Sequence, residues 1–296
     1  MCLSQILCTR LRVKSFCQVL EVTDLNDMLG SVDCRVVDCR FDLMQPEKGH
    51  AEYLAGHIPG AVYADLDQDL AGPVTKDSGR HPLPDTDVFR ATLESWGISP
   101  GTQVVVYDYA SGALAARLWW LLSWFGHSRV AVLNGGLKAW LASDRPLETD
   151  VPEYPESTFP AAPDAGRVIT TDEICATLGE GNALNLVDAR DRPRFAGEKE
   201  PIDAVAGHIP GAVNLPFSEN INADGTWKSP EALRQLWAGL LGSDMPLPFA
   251  VMCGSGVTAC HLALSASMAG LEEPRVYIGS WSEWIRDSSR PVASAT

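Results

Sequence analysis

Cys253 is the residue of this chain best placed to do chemistry. An apolar run, Phe249 to Met252, ends in that cysteine; Gly254-Ser255-Gly256 follows, and then a helical pattern through Ala259, Leu262, Leu264 and Met268. A thiol held there lies among backbone N–H groups at a helix N-terminus, where those donors and the helix dipole stabilise an anion. The anion of a cysteine is the thiolate, its nucleophilic form. A structural, buried cysteine is the competing reading. It suits Cys260, seven residues on and inside the helix, better than Cys253, whose flanking Gly254 and Gly256 permit a tight loop with amides turned inward. A second apolar run, Asn185 to Ala189, ends in Arg190, with Arg194 four residues later. A guanidinium pairs with a carboxylate through two parallel hydrogen bonds, so these arginines are candidate holders of an anionic substrate.

The elements that must position these residues occur twice. Gly-His-Ile-Pro-Gly-Ala-Val stands at 56–62 and again 151 residues later, at 207–213. Val37-Asp38-Cys39-Arg40 precedes the first copy as Val187-Asp188-Ala189-Arg190 precedes the second. Val104 to Asp108 parallels Ala250 to Cys253, so Asp108 stands where the second copy has its cysteine. Landmarks in one order signify duplication of a whole domain. Residues 151–166 carry Pro152, Pro155, Pro160 and Pro163, a density incompatible with helix or inner strand, and read as a linker. The expected organisation is a first domain over 19–150, the linker over 151–166, and a second domain over 167–292.

Within each copy, short apolar runs alternate with helical patterns. Expected strands are Arg35–Cys39, Val104–Asp108 and Val130–Leu133, then Asn185–Ala189, Phe249–Met252 and Arg275–Ile278. Expected helices include Asp87–Trp96 and Ala113–Phe125 in the first copy, and Thr171–Leu178, Pro230–Leu241, Val257–Met268 and Ser282–Asp287 in the second. This alternation predicts an α/β fold, two tandem domains each with a mostly parallel sheet and helices on both faces. Ligands of such sheets bind beyond the C-terminal strand ends, which is where Cys253 and Arg190 fall.

The loop Cys253-Gly254-Ser255-Gly256-Val257-Thr258 resembles the active-site loop of the 3-mercaptopyruvate sulfurtransferases, within the rhodanese superfamily. The resemblance covers residues from about 19 to 292. It implies two rhodanese-like domains, a silent first one with Asp108 at the cysteine position, and sulfur transfer through a Cys253 persulfide without metal or organic cofactor. It implies that Arg190 and Arg194 bind the substrate anion, with Gly254, Gly256, Val257 and Thr258 completing the substrate site. Ser255 and the loop amides would stabilise the oxyanion of a departing pyruvate enolate. His57 matches a first-domain histidine proposed in that family to work with the loop serine and an aspartate; no aspartate is evident in Met44-Gln45-Pro46-Glu47-Lys48. His208 reads as architectural, because its heptapeptide is a turn into a strand.

Cysteine phosphatases share this fold but need an arginine six residues after the cysteine; position 259 is alanine. A non-catalytic binding module would be marked by loss of the cysteine, which is present. Thiosulfate-using members carry Arg and Lys directly after the cysteine, where Gly254 and Ser255 stand here. That favours 3-mercaptopyruvate as donor, with thiosulfate the alternative, and cyanide, a small thiol or a thioredoxin-like protein as acceptor.

The remaining features exclude other classes. The net charge of −15 and pI near 4.7 oppose binding to nucleic acid or to an anionic membrane surface. No apolar run reaches 18 residues, so no spanning helix is expected. Eight cysteines and six histidines show no C-x-x-C pair and no metal-ligand spacing, which reads as reduced thiols in the cytoplasm. Residues 1–18, with Cys2, Cys8, Cys17, Arg10, Arg12 and Lys14, have the wrong order for a signal peptide and read as a loosely ordered or over-extended N-terminus, with a transit peptide as the alternative.

Overall fold

The computed structural model describes residues 15–180, 185–242 and 248–294. Most of the N-terminal segment, including Cys2 and Cys8, lies outside them. The first repeat runs β1 (Val19–Leu20), α1 (Val22–Met28), β2 (Cys34–Asp38), α2 (Pro46–Ala55), β3 (Ala61–Tyr63), α3 (Thr86–Ser95), β4 (Gln103–Tyr107), α4 (Ala115–Trp124), β5 (Val130–Leu133) and α5 (Gly136–Ala142). The second runs α6 (Thr171–Gly179), β6 (Leu186–Asp188), α7 (Arg192–Ala196), β7 (Val213–Asn214), α8 (Pro230–Leu241), β8 (Ala250–Met252), α9 (Val257–Met268), β9 (Arg275–Val276) and α10 (Ser280–Trp284). Residues 151–164 between them contain neither helix nor strand.

Both sheets are parallel, in the orders β1-β5-β4-β2-β3 and β7-β6-β8-β9. The inner strands β2, β4, β6 and β8, and β5 with them, are buried along their whole length, which is why they read as continuous apolar runs. In β4, Val104 and Val106 face a core with α3 and α4, while Val105 and Tyr107 face α1 and α5. The α4 side of the first sheet and the α9 side of the second share one core. Val106, Leu118 and Trp120 belong to the same apolar cluster as Val251, Cys260 and Leu262, with α4 packed on α9. The two repeats are therefore joined by hydrophobic burial as well as by the chain.

The long elements match the sequence pattern to within a few residues, and α8 and α9 match at both ends. Ser229 caps α8 as expected, its hydroxyl accepting from the Ala232 N–H. The edge strands β1, β3 and β7 and the helices α1, α2 and α7 had no counterpart in the pattern. Two- and three-residue strands and the five-residue α7 are too short to show a period, and α1 and α2 each bury only two residues, Val22 and Leu25 in the one and Gly49 and Tyr53 in the other, so neither carries an apolar stripe.

Candidate active site

Strand β8 delivers Cys253 to the start of α9, and the loop between them closes around the sulfur. The N–H groups of Ser255 and Gly256 point at Cys253 Sγ from 3.4 and 3.1 Å. Gly256 has φ +80°, and a Cβ there would come within 2.5 Å of the Ile278 carbonyl oxygen, so only glycine completes this turn. The loop is braced from α10: the Cys253 N–H donates to Ser280 Oγ, and the N–H groups of Trp281 and Ser282 donate to the carbonyls of Cys253 and Gly254.

In the first repeat the same cradle is filled from within. Asp108 Oδ1 accepts from the N–H groups of Ala110 and Gly112, and Oδ2 from those of Leu114 and Ala115. The amides that could stabilise a thiolate are occupied by a carboxylate.

Cys253 faces a cavity of about 170 Å³ at the junction of the repeats. Phe41, Leu43, Leu66, Leu114 and Ile202 make its apolar walls; Arg80, His81, Arg194, Ser255 and Thr258 supply polar groups, and Gly254 and Val257 also line it. A space of that size accommodates a small organic acid. A larger cavity, about 500 Å³, lies beside Cys34, Arg35 and Tyr154, but burial pushes the Cys34 thiol up to about 11, leaving it protonated at neutral pH.

A proton relay crosses the junction. Ser255 Oγ is 2.8 Å from His81 Nδ1, and His81 Nε2 is 3.3 Å from Asp67 Oδ1. Burial, helped by the charges of Arg117 and Arg80, pushes His81 down to about 3, so the imidazole is neutral. A carboxylate at Nε2 favours the proton on that nitrogen, which leaves Nδ1 to accept from the serine hydroxyl. The histidine segment is stapled in place by Arg117 of α4. This fully buried side chain donates to the carbonyls of Leu70, His81 and Pro82 and reaches the Gly256 carbonyl across the junction.

Comparison with known proteins fits this arrangement. The family model described as "Rhodanese-like domain" matches twice, over residues 21–143 and 170–287. The chain belongs to the rhodanese family. It is 46% identical over 282 residues to a Pseudomonas aeruginosa protein named "Probable 3-mercaptopyruvate sulfurtransferase", covering 95% of this chain and 99% of that one. It is 37% identical over 259 residues to the thiosulfate sulfurtransferase of Bos taurus, covering 85% and 84%. Among solved structures it resembles SseA of Escherichia coli, a 3-mercaptopyruvate sulfotransferase. There the TM-score is 0.79 at 31% identity, covering 90% of this chain and all of that one.

Two expected site residues of this rhodanese are placed elsewhere by the structure. His57 is fully buried in the first repeat, with Nδ1 on the Tyr53 carbonyl and Nε2 on the Asp150 carbonyl, and its ring stacks on Tyr53. His208 makes the matching contacts in the second repeat, to the Phe195 carbonyl and ring. Both histidines of the repeated heptapeptide are architectural, and the histidine at Ser255 is His81. Nothing in the sequence around His81 marked it. The usable signal was the length of its loop: residues 64–85 contain no helix or strand, and long structureless loops in compact domains are usually functional.

Arg190 does not reach the cavity either. Its guanidinium lies on Asp188, the Gly207 carbonyl and Glu200, against the Trp281 ring. Arg40 makes the same closed pair with Asp38 and the Gly56 carbonyl in the first repeat. Breaking a buried pair strands its partner, at a cost of about 3–5 kcal/mol. Arg190→Ala should therefore lower the denaturation midpoint sharply, while enzyme that remains folded keeps its KM for the donor. A raised KM with unchanged stability would return Arg190 to the binding site.

Arg194 does line the cavity. Its Nε donates to Glu200, and its Nη2 to Asp203 at 2.9 Å. Burial pushes Glu200 up, but Arg194 and the amides of Asp203 and Ile202 outweigh it and hold the carboxyl below its ordinary range. Two further residues absent from the sequence expectation, Arg80 and Asp67, come from the same loop as His81.

Proposed function

We propose that this chain transfers sulfur from 3-mercaptopyruvate through a Cys253 persulfide and releases pyruvate. One observation carries the choice of donor: the relay Ser255–His81–Asp67 set beside an amide-cradled thiol. Thiosulfate needs no such relay. Attack of the thiolate on its outer sulfur gives the persulfide and sulfite, and no proton moves. With 3-mercaptopyruvate the thiolate attacks a sulfur that carries a proton, the C–S bond breaks, and the departing enolate must gain a proton at carbon to become pyruvate. In the proposed cycle Ser255 takes the thiol proton as its own passes to His81 Nδ1, and the reversed transfer protonates the enolate. Asp67 steadies the transient imidazolium, and Cys253 is left as a persulfide anion facing the loop amides.

Arg194 is the proposed holder of the donor carboxylate, since it reaches the cavity and Arg190 does not. The first repeat is proposed to be catalytically silent, its cradle occupied by Asp108. It still contributes His81 and Asp67, so a complete site exists only at the junction. Cyanide, a small thiol or a thioredoxin-like protein is the proposed acceptor, reached by a second displacement on the persulfide.

Pyruvate and thiocyanate formation with each donor plus cyanide tests the reading. The expected result is ping-pong kinetics and a kcat/KM for 3-mercaptopyruvate above that for thiosulfate. A wild-type preference for thiosulfate would overturn the donor assignment.

A further inference from the structure

We propose that Arg80, from the first repeat, is a substrate-binding residue that forms a carboxylate clamp with Arg194 of the second and makes the site selective for carboxylate donors. The proposal rests on the sulfurtransferase reading of Cys253. Both side chains line the cavity. Both converge on the residue after the nucleophile: a Cβ on Gly254 would lie 3.0 Å from Arg80 Nη2 and 3.4 Å from Arg194 Nη2. Glycine at 254 thus keeps open the approach that the two guanidinium groups share.

Asp203 bridges the pair. One of its oxygens takes Arg80 Nη1 and the other takes Arg194 Nη2, and its side chain is almost fully buried. A shared buried carboxylate holds two like charges close together and fixes how their forks are turned. The arrangement still leaves a donor over: Arg80 Nε is buried with no hydrogen-bond partner among the described residues. A buried guanidinium N–H without an acceptor is costly unless an acceptor arrives, and the adjoining cavity is where one would arrive. Arg190, by contrast, already has two carboxylates, a carbonyl and an aromatic face.

Arg80 is positioned for this by the junction itself. Its N–H donates to Ser282 Oγ, the Arg286 Nε donates to the carbonyl of neighbouring Ser78, and a Cβ on Gly79 would sit 2.4 Å from the Gly279 carbonyl oxygen. The loop is thus held tightly against the second repeat, and Arg80 enters the site together with His81. Asp203 and Glu200 balance the two positive charges, so what the pair offers a carboxylate is directed N–H donors rather than excess charge.

The test is Arg80→Met beside Arg80→Lys and Arg194→Met in the full-length protein. Donors are 3-mercaptopyruvate and its methyl ester, which lacks the anionic oxygen; pyruvate serves as a protector of Cys253 against iodoacetamide. Arg80→Met should lower kcat/KM for the acid about ten- to a hundredfold, chiefly through KM, and raise the half-protecting pyruvate concentration by a similar factor. It should cost the ester far less, and Arg80→Lys should recover part of the loss. Equal losses on acid and ester, or unchanged pyruvate protection, would overturn the clamp even where Arg194→Met is impaired. If Arg80→Met does not fold, the pyruvate shift in Arg80→Lys decides. Failure of the underlying reading is visible separately, as wild type that takes no sulfur from 3-mercaptopyruvate onto Cys253.

Discussion

Cys253→Ser yields a folded protein that transfers no sulfur from either donor. The serine hydroxyl is close in size to the thiol and can accept from the same Ser255 and Gly256 N–H groups, so the loop has no reason to rearrange. Oxygen at that position cannot form a persulfide, and a hydroxyl is far less ionised than a thiol. The other described thiols are poor substitutes. Burial pushes Cys34 to about 11 and Cys260 to about 12, and it raises Cys39 as well, with the charge of Asp38 adding to the effect. Mass spectrometry of wild type exposed to donor alone should find one added sulfur atom, on the Cys253 peptide, and none in the variant. Sulfur on Cys34, Cys39 or Cys260, or residual turnover in a folded Cys253→Ser, would remove Cys253 from the mechanism.

The second large effect separates the donors. His81→Ala should lower kcat for 3-mercaptopyruvate by about 10²–10⁴-fold, the usual range for removing an acid–base group. Turnover of thiosulfate should fall much less, because no proton moves in that transfer. Ser255→Ala should behave alike, and the double variant should be little worse than either single one, since the two act as a unit. His57→Ala should instead show its effect in the unfolding curve. Equal losses on both donors in His81→Ala would assign that histidine to structure.

Acid should act on stability before it acts on this relay. His81 and His261 are both neutral in the fold, pushed down to about 3, chiefly by burial. In the unfolded chain each takes up a proton near 6.5. Below that pH the unfolded state binds more protons than the folded one. Stability present above 6.5 is therefore lost as pH falls from 6.5 toward 3, by about 1.4 kcal/mol per pH unit for each histidine. Urea unfolding at neutral pH and at about pH 5 measures this. The kcat of enzyme that remains folded should show no histidine limb near 6.5.

The loop by itself understates the charge around Cys253. Gly254 and Ser255 carry no charge, which suggested a site without cations beside the sulfur. In three dimensions Arg80 and Arg194 stand over Gly254, and neither belongs to the loop. An arginine introduced at 254 would displace them rather than add to an empty space. In the proposed mechanism the relay, not a lack of charge, separates 3-mercaptopyruvate from thiosulfate.

Contiguous sequence was sufficient for the duplication, the parallel sheets and Cys253. A buried strand is an apolar run, a helix has a period, and a cysteine between a strand and a glycine loop carries its own cradle of amides. Each of these is written in neighbouring residues. The resemblance placed His57 and Arg190 in the site, whereas their motifs recur with the fold; the structure shows each copy bound into its own repeat, as His57 and His208 and as Arg40 and Arg190. The partners of Cys253 were decided by tertiary structure alone. His81, Asp67 and Arg80 sit in an aperiodic loop of the other repeat, with His81 174 residues from Ser255. They are brought to the Cys253 loop because α4 packs on α9 and because Arg117, buried at that junction, hydrogen-bonds carbonyls on both sides of it. Such long-range contacts follow from how two cores merge, and no local spacing records them.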